Sequence, residues 1–115
     1  MTFWGIGDEE HRDPRFRAAG LDAAGLYYTA GSWCMGEIRL RRELPAAWYV
    51  PDYFVVGFPK GKRLAARLVA AGLWKRLDGG YEFAWLQRGN SPDDVRKQRK
   101  ADREKPSRQR PKWVD

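Results

Sequence analysis

Cysteine and histidine are almost missing from this chain: Cys34 and His11 are the only ones. One cysteine cannot close a disulfide within the chain, and one sulfur with one imidazole cannot complete a tetrahedral zinc cage. A nucleophile pair of Cys34 and His11 has a simpler competitor. Cys34 lies in the apolar stretch Gly31-Ser32-Trp33-Cys34-Met35, where a free cysteine usually serves as a small buried hydrophobe. Long apolar runs are missing too, and none approaches the ~20 residues that span a bilayer. The start, Met1-Thr2-Phe3-Trp4-Gly5, lacks the charged-then-apolar layout of a signal peptide. Gly5-Ile6-Gly7-Asp8 is a lone glycine pair with no strand before it, too little for a phosphate loop. These absences predict a cytoplasmic protein with no membrane partner, metal, cofactor or catalytic residues. A small-molecule ligand is not expected, and neither is enzyme activity.

Basic and aromatic residues are what the chain has in excess. It carries 22 Lys and Arg against 15 Asp and Glu, a formal net charge of +7, and its isoelectric point is about 9.9. Such an imbalance says nothing about fold but predicts attraction to a polyanion, most commonly nucleic acid. The length of 115 residues suits one domain and not two. Six tryptophans and an aromatic share of 14% give a small domain a high apolar content per residue. The charge is uneven. Residues 91–115 carry a net charge of +4 with Trp113 and Val114 almost their only large apolar groups, so residues 1–90 must supply nearly the whole core.

Punctuation marks out the elements. Pro14 opens a short helix to Ala19, closed by Gly20, and Asp22 offers an N-cap for a helix from Ala23 to about Met35, ended by Gly36. Leu26, Tyr27, Tyr28, Trp33 and Met35 point several ways around that helix, as in a central buried one. Between residues 37 and 50, Ile38, Leu40 and Leu44 alternate with Arg39, Arg41, Arg42 and Glu43, which fits either a strand or a helical turn. Trp48-Tyr49-Val50 reads as a short strand, and Pro51 opens a short helix from Asp52 to Val56. Gly57 and Gly61 suit a sharp turn. From Lys62 to Ala71, Leu64, Leu68 and Ala71 form an inward stripe with Ala65 beside it, and Gly72 suits the C-terminal position just past the helix. Asp78-Gly79 joins Leu73–Leu77 to Tyr81–Trp85 as a hairpin, with Trp74 and Phe83 on its inner face. Ser91-Pro92-Asp93-Asp94 is a complete helix start. The helix it opens, through Val95 to about Glu104, is read as polar all round, with nothing to pack, and therefore as frayed. Pro106 and Pro111 stop it.

The order helix, strand, short helix, basic amphipathic helix, hairpin predicts an α+β, mainly α, fold: a winged helix-turn-helix over residues 1–90 with a basic helical tail over 91–115. Ala66 and Ala70 would let the fourth helix approach a DNA groove. Lys60, Lys62, Arg63 and Arg67, then Lys75 and Arg76 of the hairpin, and Arg96, Lys97, Arg99 and Lys100 of the tail are the candidate DNA-binding residues. Basic residues on a helix are also what an ordinary solvated face looks like. The excess positive charge makes DNA binding the leading expectation, and a protein-binding adaptor or inhibitor is the alternative that the same fold would serve. RNA binding by the tail alone is a third.

The run from Leu64-Ala65-Ala66-Arg67-Leu68 through Ala71-Gly72-Leu73-Trp74 to Gly79-Gly80-Tyr81-Glu82-Phe83 resembles small actinobacteriophage and actinobacterial winged helix-turn-helix proteins. Ala24-Gly25-Leu26, Gly31-Ser32-Trp33-Cys34 and Val50-Pro51 are similar to their upstream parts, and the likeness covers roughly residues 11–105. Two stretches depart from it. Ala84-Trp85-Leu86 stands where that group has His-Asp-Trp, and the stretch from Gly36 to Tyr49 carries extra basic residues. The resemblance implies double-stranded DNA as partner, with a host or phage replication protein as a further one, and a role in phage replication or transcription control.

Overall fold

A computed structural model describes residues 4–41 and 43–105. Arg42 and the tail residues Pro106, Pro111, Trp113 and Val114 lie outside them. Among the described residues the architecture is α+β, with five α-helices and one three-stranded antiparallel sheet. No helix among them is long and apolar enough to cross a membrane.

A 3-10 turn, Glu10–Arg12, leads into α1, Pro14–Ala19. Asp13 caps α1 by accepting from the Arg15 amide at 2.8 Å, and Pro14 takes the first helical position, where no amide is needed. Gly20 turns the chain at φ 90°, a left-handed value that glycine adopts without steric cost. It sends the chain directly into α2, Leu21–Glu37. The predicted N-cap, Asp22, is therefore inside the helix, and Gly20 holds the cap position. Ala23, Leu26, Tyr27, Ala30, Cys34 and Met35 are all buried, so α2 is the central helix that its scattered apolar residues predicted. Trp4 lies over Gly31, where any side chain would collide with the indole.

After α2 the described residues between 38 and 48 form no long regular element, and the chain enters β1, Tyr49–Pro51, then α3, Asp52–Val56. The alternation expected there is only partly an inward-outward one: Ile38 is buried, whereas Leu40 stands 94% exposed. Residues 57–60 then turn the chain into α4, Gly61–Ala70. Gly57 has an ordinary helical φ of −68°, so the sharp turn does not depend on it. Lys60 adopts the left-handed conformation instead, at φ 58°. Gly61 is required for another reason, since a Cβ there would meet the Val55 carbonyl.

α4 closes as its sequence predicts, with Gly72 at φ 82° and the Leu73 amide donating back to the Leu68 carbonyl at 3.0 Å. Strands β2, Trp74–Leu77, and β3, Gly80–Phe83, form the hairpin, and the sheet order is β1-β3-β2. Cross-strand pairing sets Trp74 opposite Phe83 and Val50 opposite Tyr81. These four are buried, together with Leu64, Ala65 and Leu68 from α4. The core is thus a layer of helices α1, α2 and α4 against one face of a small sheet.

The last helix, α5, Pro92–Glu104, starts as read: the Ser91 hydroxyl accepts from the Asp94 amide at 3.1 Å. Its expected lack of a packing face is corrected. Val95 is 2% exposed and belongs to the core, and Asp102 is buried as well. Positions 95, 99 and 102 share one helical face, and Arg99 uses that face to reach the loop after α2. Its guanidinium donates to the Ile38 and Arg41 carbonyls at 2.9 and 2.7 Å. Arg96 donates to the Leu44 and Pro45 carbonyls, both at 2.9 Å. Arg99, through both terminal nitrogens, and Arg96, through one, therefore donate to four main-chain carbonyls between residues 38 and 45. Asn90, nearly fully buried, adds a second tie. Its side-chain amide exchanges two 2.8 Å hydrogen bonds with the Gly5 backbone, and its own carbonyl accepts from the Trp48 indole.

Val95→Ala is accordingly expected to destabilise the protein by roughly 1.5–3 kcal/mol, the scale of one buried aliphatic side chain. Chemical denaturation measures it, and a change below about half a kcal/mol, the ordinary range of surface substitutions, would return α5 to the unpacked state first expected of it.

Candidate nucleic-acid interface

α4 is divided lengthwise. Leu64, Ala65 and Leu68 are buried, while Lys62, Arg63, Ala66, Arg67 and Ala70 are exposed. The exposed side carries two methyl groups, three cations and no carboxylate. Lys60, also exposed, precedes it in its left-handed conformation. Of the ten residues expected to bind DNA, Lys60, Lys62, Arg63 and Arg67 are thus brought together on one helix and its approach. Arg67 reaches across to the α1–α2 junction, where its guanidinium lies about 4.0 Å from the position a Gly20 side chain would take. This places exposed Arg17 of α1 on the helix that flanks α4. Arg17 was not singled out in the sequence because nothing local connects residue 17 with residue 67.

The hairpin divides its two candidates. Lys75 is exposed on the outer face of the sheet, opposite Glu82. Arg76 is already engaged: its guanidinium grips Asp52 with two hydrogen bonds, at 2.5 and 3.1 Å, and lies 4.6 Å from the centre of the Tyr81 ring. In the tail helix, Lys97 and Lys100 are exposed. Arg96 donates to the carbonyls of residues 44 and 45 and pairs with Asp93, Arg99 donates to those of residues 38 and 41, and burial pushes the Arg99 pKa down, with the Arg103 charge adding to the effect.

The Arg76 hydrogen bonds hold the Asp52 carboxyl below the usual carboxylate range, and the charge of Lys62 acts in the same direction. A carboxylate whose pKa is depressed on folding contributes its stabilisation above its unfolded pKa and loses it as pH falls through the folded value. The Asp52–Arg76 contact is therefore expected to persist through neutral and mildly acidic solution and to open only below the ordinary aspartate range. Carbon-detected NMR titration of Asp52 would show this as a midpoint below that of a free aspartate. A midpoint at or above the free value would mean that the pair does not form in solution.

A second surface is apolar. A groove of about 350 Å³ lies between the end of α2, residues 45–51 and α3, with Trp33, Tyr49, Pro51 and Tyr53 as walls and Cys34 and Trp48 on its floor. Tyr53 is 72% exposed and Val56 59%. Burial pushes the Cys34 thiol up to about 12, so it stays protonated and unreactive near neutrality. The simple reading of this cysteine as a buried hydrophobe fits that position.

No family model, no curated protein and no solved structure matches the chain.

Proposed function

We propose that this chain is a winged helix-turn-helix protein that binds double-stranded DNA with the outer face of α4. One observation carries the reading. The order α2, β1, α3, α4, β2, β3, with the sheet ordered β1-β3-β2, presents a ten-residue helix whose outward side is only small or basic. A major groove about 12 Å wide admits such a helix when its outward residues are small, and cations at its edges meet the phosphates. Lys60, Lys62, Arg63, Arg67 and Lys75 are the phosphate-contacting residues in this reading, with Arg63 or Arg67 placed to reach a guanine edge. The net charge of +7 supplies the long-range attraction. A role in phage replication or transcription control is proposed from the sequence resemblance alone.

The test is titration of a fluorescent random-sequence duplex at 50 and 200 mM salt. Five phosphate contacts would weaken binding by several hundredfold across that range, because each released counterion contributes about 0.9 to the log–log slope. Binding that is absent, or indifferent to salt, would count against it. The aromatic groove favours a second reading, an adaptor or inhibitor that binds a protein through Trp33, Tyr49 and Tyr53. Apolar contacts of that kind would show little dependence on salt.

A further inference from the structure

Three independent contacts meet at the tip of the hairpin. The Asp52 amide, first in α3, donates to the Gly79 carbonyl at 2.9 Å. The Tyr49 hydroxyl donates to the Asp78 carbonyl at 3.3 Å. The Asp52 carboxylate receives the bidentate Arg76 fork from β2. Gly80 lies so close to Tyr49 and the Val50 carbonyl that no side chain would fit there. The turn of only two residues, Asp78 and Gly79, is thus folded down onto β1 and α3 and does not project from the body.

An exposed ion pair normally contributes little, because two long side chains must be ordered in competition with water. This one differs in kind. The Arg76 guanidinium is planar, doubly hydrogen-bonded and laid over the Tyr81 ring, so its position is fixed by three restraints and not one. The Lys62 charge acts on the Asp52 carboxyl in the same direction as Arg76. Asp52 opens α3, which packs against α4.

We infer that Arg76 and Asp52 form a lock that fixes the start of α3 against the hairpin tip, and that Arg76 is a positioning residue and not a phosphate ligand. Resting on the proposed DNA-binding reading, this assigns contact with the duplex to α4, its Lys60 approach and Lys75, and makes the hairpin a fixed buttress. A basic residue on the hairpin, taken from sequence as part of the interface, instead has its charge answered within the protein.

Two readouts decide it. The first needs no DNA. Protection of the residue-52 amide, corrected for intrinsic exchange rates, is expected to fall in Arg76→Ala and in Asp52→Ala alike, with the double variant no less protected than either single one, because each removes the same restraint. Protection unchanged in either single variant, or losses that multiply in the double, would overturn the lock. The second is the salt slope for duplex binding. Arg76→Ala is expected to keep the wild-type slope, whereas Arg67→Ala flattens it by about 0.9. A comparable flattening by Arg76→Ala would make Arg76 a phosphate ligand and overturn its assignment. If the wild type does not bind duplex DNA at all, the DNA reading fails, and amide exchange alone still decides the lock.

Discussion

Replacing Lys62, Arg63 and Arg67 together by alanine is expected to weaken duplex binding by two to three orders of magnitude at 0.1 M salt while leaving the fold intact. The magnitude follows from counterion release. Each phosphate contact contributes about 0.9 to the slope of log affinity against log salt, which is roughly eightfold per contact at that concentration. The fold should survive because all three side chains are exposed on the face of α4 that turns away from Leu64 and Leu68. Alanine is also the best helix former, so α4 loses no propensity. Circular dichroism with thermal unfolding would confirm the fold, and a fluorescence titration would give the affinity. A triple variant that folds and still binds within about threefold of wild type would move the interface away from α4.

The largest expected stability change lies on the opposite side of the same helix. Leu68 is completely buried, in the core that α2, α4 and the sheet share. Truncation to alanine removes three heavy atoms from a close-packed setting that relaxes only partly, and buried leucines treated this way typically cost about 2–5 kcal/mol. Equilibrium denaturation in urea measures the difference through the shift in midpoint at constant slope. A loss below about half a kcal/mol would place Leu68 at the surface, rotate the helix, and remove Arg63 and Arg67 from the outward face. The two experiments are therefore linked, since one helical phase fixes both the core and the interface.

That phase was legible in the sequence because α4 is locally consistent. Leu64 and Leu68 lie one turn apart, basic residues fill the other side, and Gly72 ends the helix. Pro14 after Asp13, Asp78-Gly79 and Ser91-Pro92 were legible for the same reason: a cap or a turn is chemistry between residues close in sequence. Residues 37–48 were not legible, because what holds them is far away in the chain. Their carbonyls find donors in Arg96 and Arg99, more than fifty residues on. Read alone, α5 offered one valine among charges. The spacing of Val95, Arg99 and Asp102 was the available signal, and a stripe with a single apolar member is easily taken for a solvated face. The candidate site shared this limit. A sequence can count arginines, but it does not say which guanidiniums the protein has already used. Arg76, Arg96 and Arg99 looked like Arg63 and Arg67 until the structure brought Asp52 and the loop carbonyls beside them.

The central claim, that α4 contacts duplex DNA through its basic face, is tested most directly by the salt dependence of one substitution. Wild type and Arg67→Ala would be titrated with the same labelled duplex at several salt concentrations between 50 and 200 mM. Loss of one phosphate contact is expected to flatten the log–log slope by about 0.9, nearly independently of DNA sequence. If Arg67 reads a guanine, the variant would also lose about 1–3 kcal/mol on a preferred site and discriminate less there. Identical slopes and affinities for the two proteins would contradict the account.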